Sequence, residues 1–179
     1  EQVQVNSFLA TNTTQNFKLT FNHPVKELIW FALASDFGTI TSNIPFFTIG
    51  IQNNETQKTV LKLNGQDRFA PRGIEYFTRL QPYLYHTSRG LDRNLYAPTV
   101  YNNGYLFDNN IAVYSFALKP EEHQPSGTCN FSRIDSAILR ISNGVTDTSF
   151  DPNVQLKVYA INYNILRIMS GMGGLAYSN

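Results

Sequence analysis

The chain has 179 residues, of which 42% are hydrophobic and 13% aromatic. That is enough for one packed domain and too little for two comfortable ones, and it excludes a disordered polypeptide. Only 15% of the residues are charged, 14 Lys plus Arg against 13 Asp plus Glu, so charge gives no argument for nucleic acid or for an anionic membrane surface as partner.

Asn at 19 positions, with 11 Gly and 8 Pro, favours turns over helix. The longest apolar run, Leu28 to Ala34, has seven residues. A membrane-spanning helix needs roughly 20, so direct membrane insertion is not expected. Cys129 is the lone cysteine, which rules out an intrachain disulfide and suits a reducing compartment. No signal-peptide pattern opens the chain, and a start at Glu1 instead of Met reads as a processed product or a piece of a longer polypeptide.

Period-two alternation dominates. Val3 and Val5 alternate with Gln2, Gln4 and Asn6, and Phe17, Leu19 and Phe21 alternate with Lys18 and Thr20, the pattern of strands with one wet face. His23-Pro24 breaks the ladder, because Pro has no N–H to donate. The run from Glu27 to Leu33 is apolar on both faces, as in a strand covered on both sides or lying under a partner subunit. Phe46 to Ile51, Thr59 to Leu63, Ile111 to Leu118, Ala137 to Ser142 and Val154 to Tyr163 are further strands. Turn signals stand at Asn64-Gly65, Asn102-Asn103-Gly104 and Asn143-Gly144. Ile74 to Leu80 reads as a short helix that Pro82 ends, and Gln81 to Asn110 as a long loop. Around eight short strands with almost no competing helix predict an all-β sandwich spanning residues 1–179.

Five tyrosines fall in the predicted loop: Tyr83, Tyr85, Tyr96, Tyr101 and Tyr105. Tyr is enriched at protein interfaces, yet the same rings can equally pack on their own sandwich. No catalytic constellation is visible. His23, His86 and His123 are scattered without metal-ligand spacing, so no metal is expected. Glu121-Glu122-His123 with Cys129 reads as a solvated turn holding a mostly buried thiol, whose pKa burial raises. The terminal GMGGLA, Gly171 to Ala176, mimics a dinucleotide motif but lacks the following helix and acidic residue, so no cofactor is expected; its glycines suit a tight turn. An enzyme would need an assembly such as His86 meeting Asp92, for which no local pattern argues. Sequons occur at Asn12, Asn54 and Asn130 as possible glycosylation sites.

The segment IAVYSFALKPEEHQPSGTCNFSRIDS, Ile111 to Ser136, resembles the signature of the major capsid proteins of the nucleocytoplasmic large DNA viruses. NHPVKELIWF from Asn22, Tyr76-Phe77 with Gln81-Pro82, and the closing NYNILRIMSGMGGLAYSN follow the same pattern in the same order. The resemblance implies an eight-stranded jelly-roll β-sandwich, corresponding to the C-terminal half of a double jelly-roll chain. It also implies homotrimeric, pseudo-hexagonal capsomers of an icosahedral virion shell, assembled in the host cytoplasm with minor capsid proteins as partners.

Within that signature Pro120, Pro125 and Gly127 stiffen the loop that carries His123, which lowers the entropy cost of an assembly contact. Arg133 and Asp135 are expected either to pin this loop by a bidentate pair or to lie exposed near a turn. Glu121 to Cys129, the Tyr-rich loop and the C-terminal tail are the candidate contact segments. A carbohydrate-binding β-sandwich module is the alternative function, since Asn- and aromatic-rich loops on sandwiches often bind sugars.

Overall fold

A computed structural model describes residues 1–8, 14–34, 58–87, 111–142 and 154–176. The predicted strand at Phe46 to Ile51, the turns at 102–104 and 143–144, and Tyr96, Tyr101, Tyr105, Asn12 and Asn54 lie outside the described residues.

Eleven strands are described, all paired antiparallel: β1 (Gln2–Phe8), β2 (Thr14–Leu19), β3 (Pro24–Ala34), β4 (Lys58–Leu63), β5 (Gln66–Asp67), β6 (Ala112–Ser115), β7 (Cys129–Asn130), β8 (Ala137–Ser142), β9 (Val154–Asn162), β10 (Leu166–Met169) and β11 (Met172–Leu175). One sheet has the order β1-β9-β3-β6, with β7 also on β3, and the facing sheet runs β2-β8-β4-β5. The chain thus alternates between layers, β1 to β2 to β3 to β4, and returns from β8 to β9. That wrapping is the jelly-roll form of a sandwich. Setting aside the two-residue strands β5 and β7 and the separate β10–β11 hairpin, seven of these strands answer to expected ones, and the eighth expected strand, Phe46 to Ile51, lies outside the described residues.

The apolar rows of both sheets meet between the layers. Trp30, Leu28 and Val25 of β3, Leu61 of β4, Leu139 and Ile141 of β8, and Leu156 and Val158 of β9 are essentially without solvent contact. A register shift between Val25 and Glu27 lets Val25 and Leu28 both face inward and sends Glu27 to the outer face. On that face Phe31 stacks on Tyr159 at 5.6 Å between ring centres.

Two expectations are corrected here. Strand β1 is inverted: Val3 and Val5 are 50% and 52% exposed, while Gln4 turns toward Lys18 of β2 and Thr20 just beyond it, and Gln2 toward Asn22 in the connection that follows. Both strands are sheet edges among the described residues, and the carboxamides satisfy backbone groups that no ladder reaches. Pro82 does not end the helix. A π-helical turn over Tyr76–Leu80 passes directly into α1 (Gln81–Tyr85). Pro82 lies in the first turn of α1, where its missing N–H costs little. The predicted loop therefore begins after Tyr85. The buried anchor of the helical segment is Phe77, packed on Trp30 at 5.1 Å between ring centres.

Both short turns follow their residues. Asn64 and Gly65 have φ of 51° and 81°, and Ser170 and Gly171 have 52° and 78°, the left-handed pair that a two-residue hairpin requires.

Candidate functional site

The signature segment leaves the sheet at Phe116, three residues earlier than the predicted strand ends. The N–H groups of Phe116 and Ala117 both reach the Lys26 carbonyl, at 2.9 and 3.2 Å. The free edge of β6 is covered by the helical segment: Ser115 N–H donates to Gln81 Oε1 at 3.1 Å, and Gln81 Nε2 donates to Tyr76 Oη at 2.9 Å. Pro120 is buried, and Ser126 Oγ accepts the Lys119 N–H at 2.9 Å, so the loop closes on itself. Gly127 sits at φ +144°, and a Cβ there would stand 2.8 Å from the Phe116 carbonyl oxygen. No other residue type fits that backbone without displacement.

Beyond the loop, Cys129 pairs with Val25 and is half-buried, and burial pushes its thiol up as expected. Phe131 is buried against Phe21 and Phe116, at 6.3 and 5.9 Å between ring centres. Asn130 Oδ1 accepts the Ser132 N–H at 3.1 Å, and Ser132 Oγ accepts the His23 N–H at 2.9 Å. The His23 backbone is left-handed, with φ 69°. This set of contacts performs the pinning expected of Arg133 and Asp135. Both of those residues are exposed, and among the described residues no ion pair or hydrogen bond joins them. A serine hydroxyl reaching a backbone N–H is short enough to work at this turn, whereas the long guanidinium stays in water.

His86, at the end of α1, is the residue whose surroundings the sequence hides. Its Nδ1 lies 3.1 Å from Glu121 Oε1 and its Nε2 lies 3.3 Å from Glu27 Oε2, the latter without the alignment of a hydrogen bond. The Glu27 carboxylate is nearly buried, while that of Glu121 is well exposed. Glu27, opposed by burial and assisted by Glu121, raises the His86 pKa above the ordinary imidazole value. The hydroxyl and N–H of Thr87 both donate to Glu121 Oε2, and with His86 they hold Glu121 below the usual carboxylate range. His86 and Glu121 are 35 positions apart, and no spacing rule links them. Asp92 lies outside the described residues.

His123, Pro125 and Gly127 are all exposed on the outer side of the loop, and Asn130 is exposed beside it. Tyr83 is exposed, and Tyr85 is half-buried at the end of α1. The C-terminal hairpin carries a cluster of exposed apolar side chains: Ile165, Leu166, Ile168, Met169, Met172 and Leu175 are between 55 and 75% exposed. Arg167 is its one charged side chain. Among the described residues no group of three or more His, Cys, Asp or Glu side chains is arranged to hold a metal ion, and no helix is long and apolar enough to cross a membrane.

The family described as large eukaryotic DNA virus major capsid protein matches residues 1–174. The major capsid protein of Pyramimonas orientalis virus is 44% identical over 174 residues, 94% of this chain and 40% of the relative. That of Paramecium bursaria Chlorella virus 1 is 36% identical, over 95% of this chain and 44% of the relative. Among solved structures, the PBCV-1 VP54 crystal structure fitted into a reconstruction of the virophage Sputnik aligns with a TM-score of 0.68 at 33% identity, over 99% of this chain and 50% of that one. The chain therefore spans half or less of the length of these relatives.

Proposed function

Because the chain belongs to the large eukaryotic DNA virus major capsid protein family, we propose that it is a structural shell domain whose work is assembly and not catalysis. It forms the virion's icosahedral shell as part of homotrimeric, pseudo-hexagonal capsomers, put together in the host cytoplasm, with copies of itself and minor capsid proteins as partners. Residues 1–179 act as one jelly-roll domain, the C-terminal half of a double jelly-roll chain. The coverage of 40% and 50% of the longer relatives supports that division.

The observation that carries the reading is the projecting hairpin. A two-stranded hairpin is marginal alone in water, and six large apolar side chains left exposed on one call for a covering partner. A standard contact buries about 800 Å² per partner with an apolar centre and a polar rim. The exposed loop with His123, Pro125 and Gly127, the nearby Arg133 and Asp135, and Tyr83 with Tyr85 supply polar and amphipathic rim. A chain of net charge +1 repels its copies little. Sugar at Asn130, which is exposed beside the loop, would crowd such contacts.

Light scattering of the purified protein tests this. The expected mass is three times the 20.3 kDa of the chain, or a larger multiple. A monodisperse monomer that binds glycans reproducibly on an array would instead support the carbohydrate-binding module.

A further inference from the structure

The two ring nitrogens of His86 each face a carboxylate oxygen, Glu121 Oε1 at 3.1 Å and Glu27 Oε2 at 3.3 Å. A neutral imidazole has one N–H and one lone pair, so one of these contacts would set a lone pair against a carboxylate; only the imidazolium presents a donor to both. We propose that His86 is a proton-operated latch. In its charged form it ties the signature loop, through Glu121, to the buried carboxylate on β3; loss of the proton sets a lone pair against one of the two acids and loosens the loop, which Thr87 still holds.

The surroundings leave His86 to these two acids. From β3 the facing group is Glu27, while the Lys26 ammonium lies over the Tyr163 ring at 5.7 Å. From the loop the facing group is Glu121, while Lys119 and Glu122 pair with each other at 2.9 Å. From β6 Ser115 brings no charge, and its hydroxyl donates to the Ala117 carbonyl. On the helical side, Tyr83, Tyr85 and Arg79 carry the remaining titratable groups. The raised His86 pKa agrees with the geometry.

Thr87 adds the second half of the latch, since its N–H and hydroxyl both hold the outer oxygen of Glu121. The latch thus joins the end of α1 to the loop through residues distant in sequence. Its effect on assembly rests on the reading of that loop as a contact surface; the latch itself does not.

The test is a titration of the purified chain carrying ¹³C-labelled histidine, with His86→Gln to assign the signal. Hydrogen exchange of the peptide spanning residues 118–128 is followed over the same pH range. The His86 midpoint is expected above the ordinary value of about 6.5. Loop protection should fall as pH rises through that midpoint, by about tenfold per pH unit between the folded and unfolded midpoints. Glu121→Gln, at an exposed position, should lower the midpoint and shrink the change in protection. A His86 midpoint at or below the ordinary value, or protection that stays flat across it, overturns the proposal. These readouts need no oligomer, so a failed latch and a failed assembly reading give different results.

Discussion

Gln4 accepts the Thr20 backbone N–H at 3.0 Å and the Thr20 hydroxyl at 3.3 Å, tying β1 of one sheet to the residue that directly follows β2 of the other. Its Nε2 also donates to the Lys18 carbonyl, and Gln2 repeats the device by accepting the Asn22 N–H at 2.8 Å. The open side of the sandwich between β1 and β2 is therefore closed by side chains acting as a substitute ladder. An edge whose backbone groups are already engaged is also a poor template for unwanted strand addition.

Replacing Gln4 by Leu keeps the size and removes the bridge. The Lys18 and Thr20 backbone groups then exchange their partner for water, for an expected destabilisation of about 0.5–1.5 kcal/mol. Val5→Thr, on the exposed side of the same strand, should stay within about 0.5 kcal/mol of the parent. Urea unfolding midpoints of the two variants decide it, and equal midpoints would show that the bridge contributes nothing.

Gly127 and Gly171 separate two effects that a glycine can have. Both have positive φ, but a Cβ at 127 meets the Phe116 carbonyl oxygen whereas one at 171 meets open space. Gly171→Ala carries only the left-handed backbone cost of about 1–2 kcal/mol, and it falls on a hairpin outside the core. Gly127→Ala adds a clash with backbone that cannot swing aside, so the larger loss is expected there, together with reduced exchange protection at Leu118 and Lys119. Thermal unfolding of the pair, compared at one pH, gives the order.

The sandwich was legible because its signals are local: the alternation of Phe17 and Leu19, the Asn64-Gly65 and Gly171 turns, and the break at His23-Pro24 each need only neighbouring residues. The face of β1 was not, because whether Gln4 or Val5 points inward depends on which strand edge stands beside it. The continuation of the helix past Pro82 was hidden by the π-turn, which places a residue without an N–H where no donor is needed. Glu27, His86 and Glu121 come together only through the fold. Arg133 and Asp135 show the converse: of the two arrangements the sequence left open, the exposed one is found, and two residues close in sequence and complementary in charge stay in water while Ser132 makes the contact that holds the turn.

The His86 cluster also fixes the direction of a pH dependence. A histidine whose folded pKa is raised stabilises fully below its unfolded value of about 6.5, and that stabilisation is lost as pH rises through the folded value. A glutamate whose folded pKa is lowered, here Glu121, stabilises above its unfolded carboxylate value, and this is lost as pH falls through the folded one. Both contributions are present together only between the carboxylate and imidazole ranges, at mildly acidic pH. The stability difference between the parent and His86→Gln should be greatest in that window and decline on either side. Guanidinium unfolding at a series of pH values measures it, and a difference that grows toward alkaline pH would contradict the assignment.

The exposed hairpin allows assembly to be separated from folding. Leu166 is paired with Leu175, and Ile168 with Gly173, so Leu166, Ile168 and Leu175 share one face, with the glycine leaving space opposite the isoleucine. Met169 and Met172 are paired on the opposite face. Side chains already this exposed gain little from the folded monomer, so Leu166→Ser with Ile168→Ser should leave the unfolding midpoint within about 0.5 kcal/mol per site. If a second copy covers that face, each apolar side chain removed from the centre of the contact costs about 2 kcal/mol or more of association, and the dissociation constant rises by more than tenfold per site. Sedimentation velocity over a concentration series distinguishes the cases. A smaller assembly at unchanged monomer stability is the expected result, and an unchanged mass with unchanged concentration dependence would remove this face of the hairpin from the interface and leave the methionine face of the same hairpin as the next to be substituted.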